Sequence, residues 1–280
     1  MRMRIRVATL DDVEGIMNLH TIGEDFSGLS VAEKYSKGGP WMSLETLAIH
    51  LNNLLLDGQL VAVAELDGNV VGEVEVLFSE EPLLGEMRRI AHIDVIEVHP
   101  DYRGRGIGRS LLEFAEEIAR ENGAEFMTVQ PDEEAEGFYE RLGFNMELFT
   151  GRIVRVPGRG KGQTTKGRFS WEDVKELELV AGHFQSSYSM WFSAFKDNIA
   201  GIHYTLETGR SGESYYAIRN LPGRKGCALL LWGRLEDLSP VLKRAGDLGF
   251  NNVLTTVPMD VMGLGAEEIR KIKLLGKKLT

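Results

Sequence analysis

The residues most plainly arranged for chemistry lie between Ile96 and Leu112. Ile96, Glu97 and Val98 end an apolar stretch, His99 and Pro100 break it, and Arg103, Gly104, Arg105, Gly106, Ile107, Gly108 and Arg109 lead into the amphipathic run that follows. Glycines at alternate positions remove the β-carbons that keep backbone N–H groups from converging, and a helix starting behind them adds the positive end of its dipole. Such a loop suits a phosphate group. A mononucleotide P-loop needs a lysine after its last glycine, and none follows Gly108. A dinucleotide fingerprint needs its third glycine where Arg109 stands, although Glu125 lies about 20 residues on, where a ribose-binding acid belongs.

A third pattern (arginine or glutamine, two residues, glycine, one residue, glycine or alanine) is met in full by Arg103, Gly106 and Gly108. It resembles the acetyl-coenzyme A diphosphate loop of the GNAT superfamily of N-acetyltransferases. Val98-His99-Pro100 upstream and the run from Phe138 and Tyr139 to Gly143 and Phe144 downstream resemble the same family in order and separation. The resemblance covers residues 1–150 or so. It implies an α/β (α+β) domain with a mixed central sheet flanked by helices, acetyl-CoA as co-substrate, and acetyl transfer to a primary amine of a small molecule or protein. It implies that backbone N–H groups from Arg103 to Arg109 hold the diphosphate. Ile96, Glu97 and Val98 would run beside the pantetheine, one strand N–H serving the oxyanion. Tyr139 falls on the family tyrosine that protonates the departing thiolate, a role open to a phenol of pKa ~10. Asp132 departs from the asparagine that often contacts the cofactor in the family. A sensor that binds acyl-CoA without turnover shares the loop and stays open as the alternative.

An alkyl amine has a pKa near ~10.4, so something must take its proton. The position used by a glutamate base in some members of the family holds His92 here. Asp94 lies one step nearer the cofactor on the same strand face and Glu97 on the other, which makes these three the candidate bases. His20, His50, His99, His183 and His203 show no metal-ligand spacing, and no metal is expected.

The elements that must position these groups read as follows. Arg4 to Ala8 is a first strand, and Thr9 with Asp12 opens a helix carrying Val13, Ile16 and Leu19. Residues 21–42 read as a loop with a short helix, Trp41 being a lid or core residue, and Ser43 caps a helix to Leu56. Leu60 to Glu65 and Val70 to Phe78 make a hairpin about Asp67-Gly68. In its second strand Gly72, Val74 and Val76 alternate with Glu73, Glu75 and Leu77; the acidic face is expected to meet solvent, with a cationic acceptor as the alternative. Ala91 to Val98 is the strand that feeds the loop, Leu111 to Ala119 the helix behind it, and Glu125 to Gln130 the next strand.

With 280 residues the chain has room for two domains. The expected division is an acetyltransferase domain over 1–156, a glycine-rich basic hinge over 157–168 and a smaller α+β domain over 169–280. In the last, the strand from Cys227, the helix from Leu238 and the strand from Asn252 echo the earlier strand, helix and strand. That echo suggests a degenerate second copy, because Glu236 and Asp237 stand where a phosphate loop belongs. Residues 1–150 carry 12 Lys and Arg against 29 Asp and Glu, while residues 151–280 carry 20 against 13. An acidic domain concentrates cationic ligands, so the amine acceptor is expected to be cationic. No long apolar run marks a membrane span, no basic and aromatic pattern marks a specific nucleic-acid site, and Cys227 alone cannot form an internal disulfide. A cytoplasmic protein is expected, with a homodimer as the candidate assembly.

Overall fold

The apolar run from Leu60 to Ala64 shows no alternation, and a strand without a polar face belongs inside a sheet covered on both sides. In the computed structural model, which describes residues 3–262 and 264–279, Val61, Ala62, Val63 and Ala64 are each 0% exposed. The chain groups into two compact units, one of residues up to 78, 89–127 and 278 onward, the other of residues 79–88 and 128–277.

In the first unit, β1 (Met3–Val7), β2 (Leu60–Leu66), β3 (Asn69–Leu83), β4 (Glu86–Val98) and the start of β5 (Phe126–Val129) lie side by side in that order. β2 pairs antiparallel with both β1 and β3. The β2–β3 turn places Asp67 and Gly68 at φ 49° and 86°, the doubly left-handed geometry that matches the twist of a two-residue hairpin. Helices α1 (Val13–His20), α2 (Val31–Gly38), α3 (Leu44–Leu56) and α4 (Ile107–Glu121) complete the unit. Ser30 and Glu33 cap α2 reciprocally, and Ser43 caps α3 by accepting the Thr46 N–H at 3.4 Å. Leu111, Leu112, Ala115 and Ala119 form the buried stripe of α4. That helix sits close on β3 because Gly72 leaves room: a β-carbon there would stand 3.0 Å from Leu111 and 3.2 Å from Ile107. Gly72, Val74 and Val76 thus share the α4 face, and Glu73 and Glu75 point to the other, where α1 and α3 lie. The expectation of a solvated acidic face does not hold, because those helices cover it: Glu73 and Glu75 are 0% and 1% exposed.

The second unit holds α5 (Glu136–Glu140), β6 (Met146–Pro157), β7 (Thr165–Lys166), α6 (Trp171–Val174), β8 (Leu179–Ala181) and α7 (Ser187–Phe195). It continues through β9 (Thr205–Ser211), β10 (Ser214–Asn220), β11 (Cys227–Trp232), α8 (Leu238–Asp247), β12 (Asn252–Pro258) and β13 (Glu267–Lys278). Its strand order is β13-β6-β12-β11-β10-β9-β7, with β8 against β11. β11 and β12 are parallel and joined by α8, whose Leu238, Val241, Leu242 and Ala245 pack into one core with Val154, Leu229 and Val253. The strand, helix and strand of the echo are therefore present. At the start of α8, however, Asp237 accepts the Ser214 hydroxyl at 2.6 Å, and a carboxylate at that dipole end repels an anion. Cys227 is fully buried, and burial pushes its thiol up to about 12, so it is an inert core residue.

The segment 157–168 is not the free hinge its composition suggests. Gly158 donates to Asn251 O at 3.3 Å, Lys161 N–H to Ser239 Oγ at 3.0 Å, and Thr165 and Lys166 pair with Arg210 and Gly209 of β9. Gly158, Gly160 and Gly162 serve close approach rather than mobility: a β-carbon on Gly158 would stand 1.8 Å from Phe250 O and one on Gly160 2.0 Å from Ser239 O. Among the described residues no helix is long and apolar enough to cross a membrane.

Glu81, in the part of β3 that belongs to the second unit, is 5% exposed and accepts the Tyr188 N–H at 2.8 Å at the head of α7. Burial pushes its carboxyl up to about 7. The folded chain therefore keeps this proton up to about pH 7, whereas the unfolded chain releases it near ~4.3, and stability falls as pH rises between the two. Glu81→Gln is expected to flatten the pH 5–7 segment of the stability curve by on the order of 2–3 kcal/mol in urea titrations. An unchanged slope would contradict the burial argument.

Candidate active site

The end of β4 becomes the start of α4 through residues 99–106. His99 Nδ1 accepts the Asp101 N–H at 3.2 Å, and the chain then passes through Gly104 and Gly106 at φ 74° and 83°. An L-residue rarely adopts that backbone, and a β-carbon added at either glycine would meet no atom of the protein within 4 Å. The glycines are thus required by the turn, and the space before them is open. The first helical hydrogen bond of α4 runs from Ser110 N–H to Gly106 O, which leaves the N–H groups of Ile107, Gly108 and Arg109 without acceptors in the helix. Arg105 and Arg109 are exposed beside them. Successive left-handed residues ahead of a helix make a concavity of N–H groups suited to an anion.

Arg103 does not point a cation into this space. Its Nε donates to Val98 O at 2.9 Å and its Nη2 to Glu97 Oε1 at 2.6 Å, so the side chain ties the loop back to the strand end. Glu97 Oε1 also accepts the Val98 N–H at 3.1 Å, which engages that amide and removes it as a free oxyanion donor. Ile96, Glu97 and Val98 are half-buried at the end of β4 and contiguous with Gly104, Arg105, Gly106, Ile107, Gly108 and Arg109. Of the candidate bases, His92 is 0% exposed and Asp94 is half-buried further along the strand. These residues all belong to the first unit.

Tyr139 belongs to the second unit, on α5. It is 5% exposed and lies edge-on to Phe138 and Phe144, with ring centroids 5.2 and 5.6 Å away. Burial, helped by the charge of Asp132, pushes its phenol well above the usual range. The hydroxyl is therefore a weaker acid than a free phenol and still a hydrogen-bond donor. Asp132 is exposed and lies 3.6 Å from Arg270.

The sequence reading of site residues passes over a group in the first unit. On the buried face of β3, His20 Nε2 lies 2.6 Å from Glu73 Oε2 and His50 Nε2 lies 3.1 Å from Glu75 Oε2. The Trp41 indole donates to Glu75 Oε1 at 2.9 Å, and its ring stacks on His20 at 5.4 Å and 21° and stands edge-on to His50 at 5.3 Å. Burial, then the neighbouring charge of Glu75, pushes Glu73 up to about 7. Burial acts on Glu75 in the same direction, but His50 and the Trp41 N–H outweigh it and hold that carboxyl below its ordinary range. Two carboxyls driven apart in this way are characteristic of acid–base sites. The available signal was the pair of acids in mid-strand.

The model of the acetyltransferase (GNAT) family matches residues 28–144. The chain is similar to a glucosamine 6-phosphate N-acetyltransferase of Trypanosoma brucei brucei, 34% identical over 77 residues, which are 28% of this chain and 52% of that protein. It is also similar to an uncharacterized N-acetyltransferase of Methanocaldococcus jannaschii, 44% identical over 62 residues, 21% of this chain and 27% of that one. The chain thus spans about half of the first relative's length and about a quarter of the second's. Among solved structures, a GCN5-related N-acetyltransferase from Kribbella flavida matches with a TM-score of 0.66 at 12% identity, over 99% of this chain and 72% of that one. Another from Anabaena variabilis matches with a TM-score of 0.59 at 12% identity, over 100% and 73%. At such identity these two show a shared fold.

Glu75→Ala removes the acceptor of the Trp41 indole and a partner of His50 inside a covered site. The expected loss is about 2–4 kcal/mol of unfolding free energy by denaturant titration, and a change below ~0.5 kcal/mol would show that the network carries no stability.

Proposed function

We propose that the protein, whose residues 28–144 match the model of the acetyltransferase (GNAT) family, is an acetyl-CoA-dependent N-acetyltransferase acting on a primary amine. The observation that carries this reading is the loop before α4: two left-handed glycines, open space before them, and helix N–H groups without helical acceptors. A diphosphate fits that concavity, and Arg105 and Arg109 would add positive charge beside it. Bound there, acetyl-CoA supplies a thioester carbonyl for attack by a neutral amine.

The side chains of this protein then have separate tasks. Ile96 and Glu97 offer the backbone at the end of β4 alongside the pantetheine, where a fixed N–H would stabilise a developing oxyanion. By the family motif alone, Tyr139 is proposed to supply a proton to the departing thiolate. Of the three groups expected to take the amine's proton, Asp94 is half-buried on β4, whereas His92 is wholly buried and Glu97 is bound to Arg103 and the Val98 N–H. The trypanosomal relative acts on an amino sugar phosphate by its name; an amine nucleophile is the part of that chemistry carried over here. The reading places the protein in the cytoplasm, with no metal.

Release of free coenzyme A thiol, measured over a panel of primary amines, tests the reading. Thiol release that depends on an amine supports it, whereas acetyl-CoA binding without release on any amine would move the assignment to a non-catalytic sensor. Gly106→Trp, which forces a bulky residue to φ 83° and fills the space before the loop, is expected to abolish acetyl-CoA binding in calorimetry while the far-ultraviolet dichroism stays native. Tyr139→Phe is expected to lower kcat about 10–100-fold at near-unchanged acetyl-CoA affinity. An unchanged kcat would return Tyr139 to aromatic packing.

A further inference from the structure

The buried face of β3 holds more ionisable chemistry than packing needs. Both oxygens of Glu75 are bonded, to Trp41 and to His50, but Glu73 uses only Oε2, on His20. Glu73 Oε1 is inaccessible and no donor group of the described residues reaches it; only a proton held between Glu73 and Glu75 can satisfy it, which helps to push Glu73 up. A carboxylate oxygen left in that state inside a network otherwise satisfied is costly, and it asks for a role. His20 and Trp41 bring the network to the surface; the His20 side chain is 11% exposed while that of Glu73 behind it is 0% exposed.

His20 also stands in the right neighbourhood. Burial works against its charged form, but the Glu73 hydrogen bond and the charges of Glu73, Glu75 and Glu97 outweigh that and raise its pKa. Glu97 is the residue fastened to Arg103 and to the Val98 N–H at the entrance of the glycine loop. In the sheet the residues beside Glu73 lie against that strand end: a β-carbon on Gly72 would stand 3.3 Å from Glu97 O, and the His99 N–H donates to Val71 O at 3.0 Å, so the cluster adjoins the place where the acetyl group would be held. Trp41, stacked flat on the His20 ring, restricts its orientation, as the Glu73 bond does from one nitrogen. The charged and titratable groups facing this pair are Glu75 from β3, His50 from α3 and Glu97 from β4. Glu97 is paired with the Arg103 guanidinium, so the acidic character of the surrounding comes from Glu73 and Glu75.

We propose that His20, oriented by Glu73, is the base that accepts the proton of the acceptor amine, and that the carboxylates behind it select a cationic acceptor. The inference rests on the acetyltransferase reading and names its base and substrate class. In the step, the ammonium gives one proton to the neutral imidazole of His20. The freed lone pair forms the C–N bond to the thioester carbonyl carbon, and the C–S bond breaks with its electron pair on sulfur. The thiolate takes up the second proton lost by nitrogen, and the proton on His20 passes to water. Amine cation and thioester thus yield amide, thiol and one released proton. His20 is the catalytic residue in this scheme, while Glu73 is a positioning residue.

The test uses three primary amines of equal length and different charge, 1,5-diaminopentane, 5-aminopentan-1-ol and 5-aminopentanoate, with thiol release as the readout and acetyl-CoA affinity measured separately by calorimetry. The wild type is expected to prefer the diamine over the carboxylate by at least ~10-fold in kcat/KM. His20→Ala is expected to lose about 100-fold in kcat at unchanged acetyl-CoA affinity, with partial rescue by added imidazole. Glu73→Gln is expected to shift the acidic limb of the kcat/KM profile to lower pH, because it removes the carboxylate that makes His20 more basic. Should Glu73→Gln not fold, His20→Ala at the edge of the cluster still decides. Full activity of His20→Ala, a preference for the carboxylate, or turnover of none of the three by a protein that binds acetyl-CoA would overturn the proposal. Failure of the wild type to bind acetyl-CoA would instead defeat the underlying acetyltransferase reading.

Discussion

The left-handed backbone at Gly104 and Gly106 lets a strand end and a helix start meet with their amides turned outward. Were the chain to pass from β4 to α4 by right-handed or extended residues alone, the first N–H groups of the helix would not converge with those of the loop. Arg103 secures the arrangement from behind, bonding the last carbonyl of β4 and the Glu97 carboxylate. Gly72 secures it from below by allowing Ile107 and Leu111 close onto β3. The concavity suited to an anion at this point is thus a property of backbone and packing, with the arginines as additions. The second unit shows the contrast. α8 follows β11 as α4 follows β4, but Asp237 sits at its head on Ser214 and fills the position an anion would need.

The other costly feature of the first unit is a pair of carboxyls placed two apart on a strand and then covered. Like charges so close cannot both ionise freely in a buried site, and the structure resolves the conflict by giving Glu75 an imidazole and an indole while Glu73 shares a proton with His20. Evolution of a purely structural sheet has cheaper residues for such positions. The acidic excess of residues 1–150 therefore has two components, a solvated set on helix faces such as Glu113, paired with Arg109, and this interior set.

Much of the first unit was legible in the sequence because its signals are local. The Asp67-Gly68 turn, the Ser43 cap, the stripe of Leu111, Leu112 and Ala115 and the glycine loop each follow from a few adjacent residues. What escaped depends on which elements come to lie over others. The alternation of Glu73 and Glu75 with Val74 and Val76 correctly gave two faces, yet only the packing of α1 and α3 decides that the acidic face is interior. The segment 157–168 has a linker's composition, and only the nearness of Phe250, Ser239 and Pro240 explains Gly158, Gly160 and Gly162 as sites of close approach. His20 and His50 lay in plain view as isolated histidines, with nothing in the chain to join them to strand residues far along it. The role of Arg103 as a latch was hidden for the same reason, since the motif names the residue and not the direction of its side chain.

The central claim, that the amides between β4 and α4 hold the acetyl donor, is tested most directly by amide hydrogen exchange on the whole protein with and without saturating acetyl-CoA. The account predicts slowed exchange at residues 103–110 and no change at residues 233–238, where the second unit has its corresponding strand-to-helix turn. Unchanged exchange at 103–110, or protection that appears at 233–238 instead, would contradict it.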